Sequence, residues 1–231
     1  MPAAFAECRC LSPSHDSVSS RTGSSGAVAR LRLPQNVACG FPALRSSKRE
    51  RFTTQPLVDA TIIRAAPSTK NRAKARDPEM HQSKKGNQWY FGMKVHVGAD
   101  VNSGCVHTVS VTPANAPDIG ELPNLLREDD RAVFGDAAYV NKGIKQAARE
   151  AGVYWGVALK AQPKRRLGRG QKRRNQKMSS IRSRVEHVFR VMKRQFGYTQ
   201  VRYRGLAKNA AQVFTLIALT NLYLKRWQLM D

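Results

Sequence analysis

From Trp89 to Asp100 the chain alternates, with Tyr90, Gly92, Lys94 and His96 set against Phe91, Met93, Val95 and Val97. A period of two sends the two sets to opposite faces of an extended strand, a pattern that a helix cannot use. Asn102-Ser103-Gly104 supplies turn chemistry, and Cys105 to Thr112 returns as a second β-rich run. Together they predict a β-hairpin, so whatever else the chain does it must build a sheet.

The remaining segments alternate around that hairpin. Leu57 to Ile63 has the β-branched density of a strand and is ended by Pro67; a polar, charged loop is expected from Ser68 to Gly86. Pro117 and Asp118 open a helix through about Arg127, with Asp118 as N-cap before Glu121. Ala132-Val133-Phe134 is a short apolar strand that stops at Gly135-Asp136. A helix from about Lys142 to Ala151 follows, closed by Gly152, and Val153 to Leu159 forms another strand. Lys160 to Lys177, with Gly168 and Gly170, is expected to be a basic loop, mobile in the absence of DNA. Ile181, Val185, Val188 and Met192 mark an amphipathic helix from about Ser180 to Gln195, stopped by Gly197, and a last helix runs from about Leu206 to Trp227. The order predicts a mixed α/β domain. Residues 1–52, rich in Ser, Pro, Gly and Arg and without periodicity, are expected to be a disordered or non-native leader, leaving 53–231 as the folded domain.

Charge narrows the partner. Lys and Arg total 40 against 16 acids, a net charge of +24. Such an excess costs self-repulsion unless a polyanion shares the surface, and nucleic acid is the usual one. The charge is also clustered: Lys160 to Arg204 holds 16 basic residues and one acid, Glu186. The longest apolar stretch, Ala210 to Leu224, is too short and too polar to span a bilayer and reads as a core helix, so no membrane partner is expected. Cys8, Cys10, Cys39 and Cys105 fit neither a zinc ribbon nor a disulfide framework, and no signal peptide is visible; a reducing cytoplasm is the expectation.

Against this scaffold three acids stand out. Asp59 interrupts an apolar strand, Asp136 follows a strand end, and Glu186 lies on the amphipathic helix. Each has an ordinary reading alone: a solvent-facing strand Asp, a turn or cap Asp, a salt-bridged helix Glu. Together they are hard oxygen donors on separate elements, which is what metal-assisted phosphodiester chemistry requires. Arg182 and Lys193 lie four residues before Glu186 and seven after it, on one helix face.

Val58-Asp59-Ala60-Thr61, Phe134-Gly135-Asp136 and Arg182-x3-Glu186-x6-Lys193 resemble the Asp boxes and the Y-x2-R-x3-E-x6-K signature of DDE transposases, in the broad IS-four and IS-five grouping of bacterial insertion sequences. The runs Ser68 to Asn71, Lys85 to Lys94, Arg194 to Gly197 and Val201 to Leu206 are similar to the same family, so the likeness extends from about Leu57 to the C-terminus. It implies a ribonuclease-H-like fold, a mixed sheet flanked by helices. It also implies Asp59, Asp136 and Glu186 as catalytic ligands of two ions, Mg²⁺ or Mn²⁺, that drive strand cleavage at the element end and strand transfer into target DNA. Arg182 and Lys193 would position DNA, and Lys164-Arg165-Arg166 and Lys172-Arg173-Arg174 are read as phosphate contacts. The implied setting is the nucleoid of a bacterial cytoplasm, with a DNA-dependent homodimer bringing two element ends together.

The signature's Tyr falls at Ser179, and Ala138 stands where relatives often carry Gly. Full-length members also carry a helical N-terminal region, not matched by residues 1–52. A truncated or frameshifted element is therefore expected, and a catalytically inactive DNA-binding remnant, or a nuclease without strand transfer, are the alternatives. His96 and His107 could face each other across the hairpin, but no Cys or third His completes a zinc set. His187, beside Glu186, is a further candidate for the site. Trp89, Tyr90 and Phe91 could stack on unpaired bases, although alternation sends at least one of them to the core.

Overall fold

Pro56–Arg64 (β1) and Gln88–Asp100 (β3) pair antiparallel along the whole of β1, from Pro56 opposite Asp100 to Arg64 opposite Gly92. The long alternating run is therefore the strand against which the rest of the sheet is built. Its other edge is shared: Val106–Pro113 (β4) pairs with the C-terminal half of β3, and His81–Lys85 (β2) with the N-terminal half. Ala132–Gly135 (β5) joins β1 in parallel through Leu57 opposite Phe134, and Tyr154–Val157 (β6) pairs in parallel with β5. The order β2-β3-β1-β5-β6, with β4 also on β3, is an antiparallel half fused to a parallel half. This is the mixed sheet flanked by helices that the sequence led us to expect. The computed structural model describes residues 55–70, 72, 74–127, 129–161 and 166–230.

Alternation along β1 splits the core into two. Leu57 and Ile63 join Met93, Val95 and Val97 beneath Arg169–Arg190 (α3) and Leu206–Lys225 (α4), which contribute Val185, Val188, Val213 and Ile217. Val58 joins Val133, Val157 and Tyr139 beneath Asp118–Leu125 (α1), which contributes Leu122 and Leu125, and Ile144 of Lys142–Glu150 (α2) packs against them. Helices thus cover both faces of the sheet, as two buried faces demand. No helix among the described residues is long and apolar enough to cross a membrane.

Gly92 has a packing reason. It faces Arg64 where β3 changes partner from β2 to β4, and a Cβ there would collide with the carbonyl oxygen of Ile63. The start of α4 is held by acids from the segment after β1: the Gly205 amide donates to Asp77 Oδ2 at 2.7 Å, and that of Leu206 to Glu79. Carboxylates at the amide end of a helix satisfy donors that have no partner within the helix and complement its dipole. At the far end of α4, Asn221 exchanges two hydrogen bonds with the backbone of Val106, its amide donating to the carbonyl and its oxygen accepting from the N–H.

Four expectations are corrected. The segment 68–86 is not all loop, because β2 forms within it; its residues are polar and exposed, so an edge strand leaves no apolar alternation to read. Asp118 is not the N-cap of α1: Pro117 holds that position without a side-chain bond, while Asp118 pairs with Lys94 at 2.9 Å. The β6 strand runs from Tyr154 to Val157, shorter than the apolar run around it. The segment 160–177 does not remain a loop, since α3 begins at Arg169. Its first turns are fixed by tertiary contacts: Arg174 donates to the carbonyls of Trp155 and Val157 at 2.9 and 3.0 Å, and Asn175 bonds both backbone groups of Leu159. Past Arg190 the helix widens into a π-helical stretch, Val191–Gln195, and Gly197 at φ +64° lets the chain turn away. The leader, residues 1–52, lies outside the described residues.

Candidate active site

The register of two strands builds the site. Leu57 and Phe134 are paired neighbours on parallel β1 and β5, and Asp59 and Asp136 each lie two residues further on. Two residues restore the same face of a strand, so the aspartates stand side by side, Asp59 within β1 and Asp136 just past the end of the parallel strand β5. Beyond this point β5 has ended, and the edge of β1 on that side is open as far as Arg64, where Gln200 bridges to it. Helix α3 crosses here, packed on β1 and β5, and brings Arg182 onto the aspartates, with Glu186 one turn later close enough for its charge to act on Asp59.

Each aspartate is oriented locally. Asp59 Oδ1 accepts from the Ala60 amide at 2.8 Å, and Asp136 Oδ1 from the Ala137 amide, which makes Asp136 the N-cap of a 3₁₀ turn at Ala137–Tyr139. Arg182 faces both carboxylates: its Nη2 is 3.8 Å from Asp59 Oδ2, and its Nη1 is 3.4 Å from Asp136 Oδ1, the oxygen that also caps the turn. Burial raises the pKa of Asp59, the Ala60 amide and Arg182 lower it, and the charges of Asp136 and Glu186 raise it again. Three carboxylates therefore share one electrostatic neighbourhood, with one guanidinium offsetting them. Glu186 and His187 are exposed.

Tyr139 is a neighbour that sequence reasoning missed. Its phenol is buried with no hydrogen-bond partner among the described residues, and its pKa is pushed up by burial and by Asp118, Asp59 and Asp136. The only signal was its place three residues after Asp136. Ser179, at the signature's Tyr position, is exposed on α3.

The other candidates separate. Lys193 turns inward to the open edge of β1, donating to Thr61 Oγ1 at 2.7 Å and to the Ile62 carbonyl at 3.1 Å. Burial lowers its pKa, and Lys85 and Arg64 lower it further. Arg166, Lys172 and Arg173 are exposed, whereas Arg174 is half-buried against β6; Lys164 and Arg165 lie outside the described residues. His96 and His107 do not face each other. His96 is opposite Ser110 and bonds Thr112 Oγ1 at 2.8 Å, while His107 sits at the irregularity between Gly98 and Ala99 and bonds Thr108 Oγ1. Both are buried core histidines, and burial lowers each to a pKa of about 4. Of the aromatic run, Trp89 is 66% exposed, Phe91 packs against the larger core cluster, and Tyr90 carries the Arg64 guanidinium 5.4 Å from its ring centre.

A hard divalent cation suits this donor set, because the oxygen donors are carboxylates and the most buried of them is raised by desolvation. Among the described residues, however, no three acidic, His or Cys side chains already stand close enough to hold an ion. Arg182 instead supplies the cation between the two aspartates.

Residues 51–222 match a protein-family model described as the transposase DDE domain. Among solved structures, the chain is similar to the catalytic core domain of BIV integrase, at 13% identity over 62% of this chain and 78% of that one, with a TM-score of 0.27. At that score the likeness adds nothing to the fold, which rests on the strand order.

Proposed function

Because the chain belongs to the transposase DDE domain family, we propose that it cuts insertion-sequence DNA and joins the freed end to target DNA, using Asp59, Asp136 and Glu186 as ligands of two divalent ions. The supporting observation is that Asp59 and Asp136 emerge in register from adjacent parallel strands and that Arg182 of α3 pairs with both. When bound, Mg²⁺ or Mn²⁺ supplies a Lewis acid for the attacked phosphate and lowers the pKa of a nucleophilic water. The protein's part is to fix the ligands. Asp59 and Asp136 are each oriented by the amide that follows, through Oδ1, and ligation would take Asp59 Oδ2 from Arg182. Glu186, exposed on α3, closes the site from above.

Arg182 has two states in this reading: with carboxylates unligated it neutralises Asp59 and Asp136, and on ligation it turns to a DNA phosphate. Arg166, Lys172 and Arg173 supply further backbone contacts, continuing through Lys164 and Arg165, and affinity through them is steeply salt-dependent. Arg174 is committed to β6 carbonyls and serves as an anchor rather than a phosphate contact. The catalytic domain in this reading is 53–231, of an element in the IS-four and IS-five grouping, acting on element ends in the bacterial nucleoid as a DNA-dependent homodimer. The test is Mg²⁺-dependent nicking of element-end DNA, with Asp136→Asn as control. Loss of nicking in the variant is expected; equal activity in the two would overturn the catalytic assignment, and DNA binding without cleavage by the wild type would mark an inactive remnant.

A further inference from the structure

Beyond Asp59 the open edge of β1 borders a cavity of about 480 Å³ that the carboxylates do not line. Its wall is Thr61, Ile62 and Arg64 of β1, Lys85 from the end of β2, and Lys193 from the π-helical stretch. The segment after that stretch closes one side: the Arg64 amide donates to the Thr199 carbonyl at 3.2 Å, and the Val201 amide to the Arg64 carbonyl at 2.8 Å. Three cations thus converge on one hollow, and no acid among the described residues lines it. Like charges held together without a counter-charge are costly, and a phosphate would relieve that cost.

The hollow opens into a second one, of about 790 Å³, with which it shares Arg64, Tyr90 and Gln200. Trp89, Tyr90, Phe91 and Arg76 are among those that line this one, again with no acid among the described residues. Cations already lie over the rings: Arg64 over Tyr90 at 5.4 Å, Arg76 over Phe91 at 5.5 Å and Lys84 over Trp89 at 5.9 Å. Trp89 is a large apolar side chain left 66% exposed, which packing does not explain. Cationic hollow followed by aromatic wall is the pattern that binds phosphate and base together, and rings stack only on bases that are unpaired.

We propose that the open edge of β1 and the β2–β3 hairpin form a binding track for single-stranded DNA, with Arg64, Lys85 and Lys193 holding a phosphate and Trp89 and Tyr90 receiving an unpaired base. The track rests on the DNA-cutting reading for its purpose, since it begins two residues along β1 from Asp59, on the order of 7 Å. It would hold the strand that leaves the carboxylates.

The test is fluorescence anisotropy of the full chain with a labelled thymidine oligonucleotide, and separately with a blunt duplex of the same length, in EDTA. Lys85 and Trp89 have exposed side chains at the sheet edge, so Lys85→Gln and Trp89→Ala leave the core intact. Trp89→Ala is expected to weaken single-strand binding about tenfold, the loss of one stacked base. Lys85→Gln is expected to weaken it and to lower the salt slope by about one released counterion. Lys145→Gln, an exposed cation on α2, should change neither. Unchanged single-strand affinity in both track variants would overturn the track. So would equal losses on single strand and duplex, because they would show only diffuse attraction to charge. Asp136→Asn separates this from the catalytic reading: if it nicks like wild type while the track variants lose single-strand binding, the carboxylate assignment fails and the track stands.

Discussion

Replacing Arg182 with Met keeps most of the stem and removes the charge that lies between Asp59 and Asp136. At 3.8 and 3.4 Å the two pairs are each worth about 4 to 5 kcal/mol before costs, at an effective dielectric near 20. Most of that does not survive. Asp136 is 45% exposed, so its share falls to that of a surface pair, about 1 kcal/mol or less. Asp59 and Arg182 are nearer to buried, and their desolvation offsets much of the Coulomb gain. A net loss of about 2 kcal/mol is expected for Arg182→Met in EDTA, read as a lower urea midpoint and a melting temperature lower by about 4 to 8 °C for a domain of this size. The distinctive part is rescue. If Arg182 stands in for the metal, Mg²⁺ should stabilise the variant more than the wild type, because no guanidinium has to be displaced first. Asp59→Asn in the Arg182→Met background should likewise recover stability, since no buried carboxylate is then left uncompensated. Equal stability of wild type and Arg182→Met in EDTA, or an equal Mg²⁺ response in both, would refute the reasoning.

Acid should weaken the fold through His96 and His107. Each is neutral when buried, with a pKa lowered from 6.5 to about 4. The unfolded chain therefore binds the extra protons, so stability is full above pH 6.5 and is lost as pH falls toward 4. The loss is on the order of 3 kcal/mol per histidine, measurable as a falling urea midpoint that His96→Gln or His107→Gln makes shallower. Arg174→Ala should loosen the start of α3, seen as faster amide exchange over residues 169–175, with little change in the salt slope of DNA binding; Lys172→Gln should do the reverse. Gly92→Ala forces a Cβ against the Ile63 carbonyl and should cost several kcal/mol or abolish folding, as read by circular dichroism and solubility.

The parts of the fold that were legible in the sequence are those in which burial imposes a period. The alternation from Trp89 to Asp100 gave β3 to within a residue, and the Ile181, Val185, Val188, Met192 stripe gave the buried face of α3. What escaped is structure fixed by contacts between distant segments. The β2 strand has no apolar side to show, and it exists because β3 offers an unpaired edge. The first turns of α3 are almost wholly polar, so their helicity comes from Arg174 reaching β6 and Asn175 reaching Leu159 just after it, and not from any stripe. The three acids were legible as a set. That Arg182 would stand between two of them was not, because helical spacing places it beside Glu186 but says nothing of which strand it faces.

Those tertiary contacts explain why one helix can carry most of the site. Its early turns are tied to β6 through Arg174 and to Leu159 just after it through Asn175, and its π-helical end is tied to β1 through Lys193. Arg182 and Glu186 lie between these two ties. A helix fixed at one end can still slide or roll over a sheet, and a shift of about 1 Å in a ligand is enough to cost metal geometry or in-line attack. Fixed at both ends, on two different strands, it has one register. The same strands carry the aspartates or neighbour those that do, so the helix ligand and the strand ligands share one frame. The basic character of this segment is thus of two kinds: half-buried cations that hold the helix in place, and exposed ones such as Lys172 and Arg173 that remain available to phosphate.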